Sequence, residues 1–138
     1  MKSFLLIPAL VLLGGYAALA AVGTQSPSER DAARTAQLMA GRTAGTPVSC
    51  VNMRDLGSSR STGDGGILFE GPGRRIVYVN RPAGGCPDLG PGRTLVTRTT
   101  TTRLCRGDIA QVVDPVSRVN YGGCGLGDFV PYTREARN

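Results

Sequence analysis

Four cysteines constrain this chain more than any other feature. Cys50, Cys86, Cys105 and Cys124 form an even set, spread over a domain-sized stretch. Zinc sites need close cysteine pairs or histidines, yet the chain has no C-x-x-C and 0 histidines. In an exported chain, well-separated cysteines in even number read as a disulfide framework, so two bridges are expected. Four cysteines allow three connectivities. The expected pairing is Cys50 with Cys124, tying the first and last parts of a β region, and Cys86 with Cys105. Each bridge would contribute roughly 3–4.5 kcal/mol by restricting the unfolded chain. With aromatic residues at only 5%, the core is modest and such contributions decide whether the domain folds.

The N-terminus supplies the argument for export. Met1-Lys2-Ser3 precedes an apolar run from Phe4 to Leu13, and Ala18-x-Ala20 follows after Gly14 and Gly15. A basic start, an apolar stretch and small residues at the cut make a secretory signal, with cleavage near Ala20. The run is shorter than the ~20 residues a bilayer span requires. The mature chain is therefore expected to be periplasmic or secreted, with no transmembrane segment. The predicted layout is a signal peptide at 1–20, a leader with short helix and linker at 21–46, a β domain at 47–133 and a polar tail at 134–138. About 118 mature residues suit one domain.

The formal net charge is +6, and Lys2 is the lone lysine, so the cationic charge is nearly all arginine. Guanidinium groups pair bidentately with phosphates and carboxylates, which points to an anionic partner. The arginines are nevertheless scattered along the sequence from Arg30 to Arg137, with no basic run, which favours generic surface charge over a dedicated anion site. Tryptophan is absent and aromatics are few, so stacking platforms for nucleic acid are poorly supplied. The lack of histidine removes the commonest general base and the Ser-His and Cys-His nucleophile pairs. No catalytic residue, metal ligand or cofactor is assigned.

Ser26-Pro27-Ser28-Glu29 is a capping box with proline at the first helical position. It predicts a helix running through Ala32, Ala33, Ala36 and Met39 to a stop at Gly41, with a weak alanine face. Beyond Cys50 the pattern turns to short β runs punctuated by glycine and proline. Residues 66–70 and 75–80 flank Gly71-Pro72-Gly73-Arg74 and predict a hairpin. Residues 94–100 form a β-branched run. Residues 109–114 and 118–121 flank a second turn. Residues 128–132 give a last strand that Pro131 places at an edge or end. The expected fold class is mainly β, a small disulfide-stapled sandwich or open barrel preceded by one short α-helix.

Several motifs invite function. Arg106-Gly107-Asp108 spells an adhesion tripeptide, but a turn after Cys105 is sufficient to explain it. The glycines around Cys124 lack the following helix of a dinucleotide loop and the Gly-Lys-Ser/Thr of a P-loop, so no nucleotide is expected. Most aspartates stand beside glycine or proline, where they serve turns; a small aspartate-dependent hydrolase is a third-ranked reading. On one strand, alternate members of residues 97–103 would share a polar face. That marks Arg98, Thr100, Thr102 and Arg103 as a candidate ligand surface. Arg106, Leu126 and Asp128 join it as the side chains of a stapled loop that could enter a partner's cleft.

The stretches from Ala40 to Val51 and from Cys124 to Phe129, with Ile67-Leu68-Phe69, Tyr78-Val79-Asn80, Cys86-Pro87 and Arg103-Leu104-Cys105, carry a further signal. Together they resemble a family of small exported proteins of proteobacteria, of the alphaproteobacterial sort, with a four-cysteine frame and no established function. The likeness covers residues 36–133. It implies a secreted or periplasmic setting and brings no activity, cofactor or site residue with it. The expected role is a non-enzymatic envelope binding or structural module, with polysaccharide or lipopolysaccharide as candidate ligand. The alternative is an inhibitor or accessory subunit of another exported protein.

Overall fold

The computed structural model describes residues 23–135. The predicted signal peptide and the last residues of the predicted tail lie outside the described residues. Capping chemistry starts α1 (Pro27–Met39) where the sequence places it. The Ser26 hydroxyl accepts from the Glu29 amide at 3.3 Å, and the Glu29 carboxylate accepts from the Ser26 amide at 2.6 Å. Gly41, at φ +69°, takes the left-handed position after the last turn. The docking face differs from the alanine stripe. Asp31, Thr35, Leu38 and Met39 are half-buried, while Ala32, Ala33 and Ala36 are exposed. The longer Leu38 and Met39 offer more apolar area to cover than methyl groups do.

Ten strands follow: β1 (Arg42–Ala44), β2 (Cys50–Asn52), β3 (Ser59–Ser61), β4 (Ile67–Glu70), β5 (Ile76–Asn80), β6 (Thr94–Thr97), β7 (Arg103–Cys105), β8 (Ile109–Val113), β9 (Asn120–Gly125) and β10 (Phe129–Arg134). They form three antiparallel sheets, ordered β1-β10-β5-β4-β3, β2-β7 and β6-β8-β9. The fold is thus mainly β behind one helix, as the sequence predicts, and no sheet closes into a barrel. Both predicted hairpins form, β4–β5 and β8–β9. The predicted linker contributes β1, which pairs with β10.

β10 lies between β1 and β5 rather than at an edge. Pro131 is tolerated there because its carbonyl accepts from the Gly45 amide at 2.7 Å. Its nitrogen therefore faces the side on which β1 has stopped at Ala44, and no ladder partner is lost.

Register assigns the faces of the large sheet. Phe129, Asn80 and Ile67 are cross-strand partners, as are Pro131, Tyr78 and Phe69. They face the main core, where Val51, Leu104, Ala110, Val112 and Leu126 of the smaller sheets and loops meet them. Phe69 and Phe129 pack with ring centroids 5.8 Å apart. On the other face the buried residues are Leu68, Glu70, Val77 and Val79. The β4 run is buried on both sides because α1 docks on that second face, beside β3.

The disulfides pair Cys50 with Cys105 and Cys86 with Cys124, correcting the expected Cys50–Cys124 and Cys86–Cys105 connectivity. β2 and β7 form a two-stranded sheet in which Cys50 and Cys105 are directly opposed, with Cα atoms 4.0 Å apart. Cys124 points from β9 into the core and meets Cys86 in the loop after β5. Closing loops of 55 and 38 residues contributes about 4 kcal/mol each in the chain-entropy picture.

Candidate functional site

The surface expected from residues 97–103 does not form. β6 ends at Thr97, and Thr99 and Thr101 fold the chain back instead of lining a strand. Both hydroxyls donate to the Arg103 carbonyl, at 3.3 and 3.1 Å, and Thr101 Oγ1 accepts from the Arg103 amide. Short hydroxyl side chains compete for backbone groups in this way. Arg98, Thr100, Thr102, Arg103 and Arg106 are exposed. Leu126 is 3% exposed and belongs to the core, so it leaves the candidate partner surface.

The glycine-rich loop at 122–128 is anchored rather than presented. Asn80, wholly buried, donates to the Gly127 carbonyl at 2.7 Å and accepts from its amide at 2.9 Å. Asp128 pairs with Arg106 at 3.2 Å. The Arg106-Gly107-Asp108 tripeptide is a turn in which Asp108 accepts from the Cys105 amide at 2.7 Å. Asp114 likewise accepts from the Val116 and Ser117 amides, which holds its carboxyl below the ordinary range. Asp64 takes a hydroxyl bond from Thr62 and an ion pair from Arg81 at 2.8 Å; together these lower its pKa to about 2.

What folding brings together is arginine. Arg42 and Arg134 are direct partners across β1 and β10. By strand alternation they share the α1 face of the sheet with Tyr132, Val77, Glu70, Leu68 and Arg60. The β4–β5 turn adds Arg74, and α1 adds Arg34, whereas Arg75 lines a separate pocket with Ile76 and Tyr78. Five arginines, dispersed over a hundred positions of sequence, thus gather on one side of the molecule.

Glu70 organises two of them. Its side chain is 6% exposed, closing a strand whose other residues are apolar. A carboxylate so buried needs charged partners. Arg60 Nη2 lies 2.5 Å from one oxygen and Arg74 Nε 3.1 Å from the other. Arg34, Arg60, Arg74 and Glu70, with Gln37 and Leu38, line a cavity of 270 Å³. Three guanidinium groups around one carboxylate leave the cavity with an excess of two positive charges.

The turn behind it is held in a demanding conformation. Gly73 and Arg74 are both left-handed, at φ +64° and +54°. Glycine adopts that region freely, but an arginine does so at about 1–2 kcal/mol. Arg42 stabilises the turn by donating to the Arg74 and Arg75 carbonyls at 2.7 and 3.0 Å, and to Leu38 of α1 at 2.7 Å. Burial and the neighbouring Arg134 lower the Arg42 pKa.

The sequence reading missed this cluster because its members are far apart along the chain. One signal was available: Glu70 ends an apolar strand and directly precedes a turn carrying an arginine doublet. A larger groove of 690 Å³ lies between the start of α1 and the loop at 84–91. It is lined by glycines, prolines and the carboxylates Asp31 and Asp64 and presents no cation.

Fold and site together define a disulfide-stapled, mainly antiparallel β protein with one docked helix and an arginine-rich face. Comparison with family models, with curated proteins and with solved structures finds no match for the chain.

Proposed function

We propose that this protein is a non-enzymatic binding module of the extracytoplasmic space that holds anionic envelope material, polysaccharide or lipopolysaccharide, on its arginine-rich face. The observation that carries the reading is the gathering of Arg34, Arg42, Arg60, Arg74 and Arg134 on the α1 side of the large sheet. Arginine suits the task because its planar fork matches anionic oxygens and stays charged at any physiological pH. The two disulfides fit an oxidising compartment. The signal-like N-terminus and the resemblance to exported proteobacterial proteins support the periplasm or the exterior. Among the described residues, no helix is long and apolar enough to cross a membrane.

The test is retention on immobilised lipopolysaccharide or peptidoglycan as salt is raised. Retention that weakens steeply between low and physiological salt supports the reading, because exposed charges are screened within about 10 Å at 0.1 M. Retention indifferent to salt, or none at low salt, refutes it.

A second reading, an accessory subunit or inhibitor of another exported protein, is favoured by the outer side of the β6-β8-β9 sheet. Ile109 is 58% exposed and Val96 39% exposed, with Gly123 and Gly125 beside Ile109. One stoichiometric protein captured from periplasm by the native chain, and lost with Ile109→Glu, would favour it over polyanion binding.

A further inference from the structure

We infer that the cavity framed by Arg34, Arg60, Arg74 and Glu70 is a seat for a single phosphate group, with Glu70 acting as the internal strut that aims two of the three arginines. This rests on the polyanion reading above and narrows it to a chemistry and a place.

The argument starts from what each guanidinium has left to give. Arginine carries five N–H donors in a fixed fork. Arg74 spends Nε on Glu70, which turns its terminal nitrogens away from the carboxylate. Arg60 spends Nη2 on Glu70, and its Nε is buried with no hydrogen-bond acceptor. Arg34, on α1, completes the lining opposite the turn. The donors of three forks therefore exceed what Glu70 can absorb.

Buried polar atoms are normally paired. In the described residues those without a hydrogen-bond partner are Thr35 Oγ1, Arg60 Nε and Glu70 Oε1. Glu70 Oε1 is held by its ion contact to Arg60 alone. The other two belong to α1 and β3, the elements packed together at this junction. Of these atoms, Arg60 Nε and Glu70 Oε1 belong to residues that line the cavity.

The charge count selects the ligand. One carboxylate already sits in the seat, and the remaining excess of two positive charges matches a phosphate monoester, which carries about −1.5 to −2 at neutral pH. Its oxygens can accept from several forks at once. A second carboxylate would bring half the charge and fewer acceptors. The charged groups lining the cavity are Arg34 from α1, Arg60 from β3, Glu70 from β4 and Arg74 from the turn; Arg42 of β1, bonded to the Arg74 carbonyl, also lies within electrostatic reach of Glu70.

Inorganic phosphate is the probe for the test, titrated into the disulfide-intact mature protein while the Nε–H resonance of Arg60 is followed by NMR. Phosphate should bind at least tenfold more tightly than acetate and move that resonance. The double variant R34Q/R74Q should weaken phosphate binding by tenfold or more, while R103Q, on the exposed strand away from the cavity, stays within twofold. Circular dichroism and thermal unfolding establish that the variants are folded.

Vesicles of phosphatidylcholine with and without phosphatidic acid then separate the sources. Recruitment by phosphatidic acid, lost in R34Q/R74Q, identifies a phosphomonoester headgroup as the occupant. Binding of soluble phosphate alone identifies a free phosphate or a soluble phosphorylated compound. Phosphate binding no tighter than acetate, or equal in R34Q/R74Q, overturns the seat. If salt-sensitive retention on envelope polyanion survives that result, the seat is wrong and the broader reading stands; if retention is also salt-indifferent, both fall.

Discussion

Replacing Arg74 by glycine separates what this residue does for the fold from what it does for the surface. Arg74 sits at φ +54° beside Gly73 at φ +64°, so glycine removes a left-handed penalty of about 1–2 kcal/mol. Two losses oppose that gain. A glycine loosens the unfolded chain by about 0.4–1 kcal/mol. The ion pair to Glu70 also disappears, and with the Arg74 side chain 72% exposed it contributes about 0.2–1 kcal/mol. Arg74→Gly should therefore leave stability within about 1 kcal/mol of the parent. Arg74→Ala keeps the backbone penalty and loses the pair, and should fall below Arg74→Gly by about 0.5–1 kcal/mol. Urea denaturation of the oxidised proteins measures both, and retention on lipopolysaccharide should drop in both variants alike. A glycine variant weakened by more than about 2 kcal/mol would show Arg74 to be a structural anchor. An alanine variant as stable as the glycine variant would show that the left-handed turn carries no penalty for arginine. Either result refutes the argument that arginine is kept here for its charge at the expense of the turn.

Arg60→Ala, by contrast, strips a buried carboxylate of its closer partner and should cost about 3 kcal/mol in the same denaturation assay; a loss under about 1 kcal/mol would mean that Glu70 is effectively solvated. Asn80→Ala leaves the Gly127 amide and carbonyl without their partner and opens a cavity, so a loss of about 2–4 kcal/mol is expected, with faster amide exchange at Gly127 but not at Ala110. The disulfides should part company under mild reductant: Cys50 and Cys105 are half-buried, whereas Cys86 and Cys124 are 1% and 6% exposed. Alkylation and mass mapping should trap Cys50 and Cys105 first, and the reverse order would refute that exposure controls access. Asp64 has a folded pKa of about 2, depressed from about 3.9 in the unfolded chain. Its stabilising effect is full above the unfolded value and vanishes as pH falls toward the folded one. Because the carboxylate is 56% exposed, the loss from pH 5 to pH 2 should be no more than about 1 kcal/mol. Asp64→Asn should flatten that part of the pH–stability curve, and an unchanged curve would refute the assignment.

Local chemistry was legible in the sequence wherever a signal and its effect lie within a few residues. The capping box at Ser26 and Glu29, the stop at Gly41 and the two glycine- and proline-punctuated hairpins all formed where their residues pointed. The aspartate turns at Asp64, Asp108 and Asp114 are of the same kind. Pairings between distant segments were not legible. Nothing in the spacing of four cysteines says that β2 pairs with β7, and that pairing alone sets Cys50 opposite Cys105. Leu126 looked like a loop side chain because glycines flank it, yet the anchored Gly127 turns it into the core. The threonine run has strong β propensity, and local hydroxyl bonds overrode it.

The arginine face follows the same logic: residues scattered along the sequence become neighbours through strand pairing. In an antiparallel sheet, the face a residue occupies is fixed by parity and its neighbours by register. Arg42 and Arg134 stand near opposite ends of the described chain, and one pairing, β1 with β10, makes them adjacent. Two like charges directly opposed across strands are destabilising, and here burial first and the Arg134 repulsion second lower the Arg42 pKa. The fold meets that opposition by bonding Arg42 to four backbone carbonyls, of Leu38, Arg74, Arg75 and Tyr132. Glu70 similarly stands as the one carboxylate lining the cavity beneath three arginines, buried where an apolar residue would complete the strand. A core optimised for stability alone would replace Glu70 and Arg60 by apolar side chains, an exchange that is often neutral or favourable. A buried strut, a left-handed arginine and a like-charged pair at one junction are local departures from the most stable choice, of the kind the proposed binding role would require.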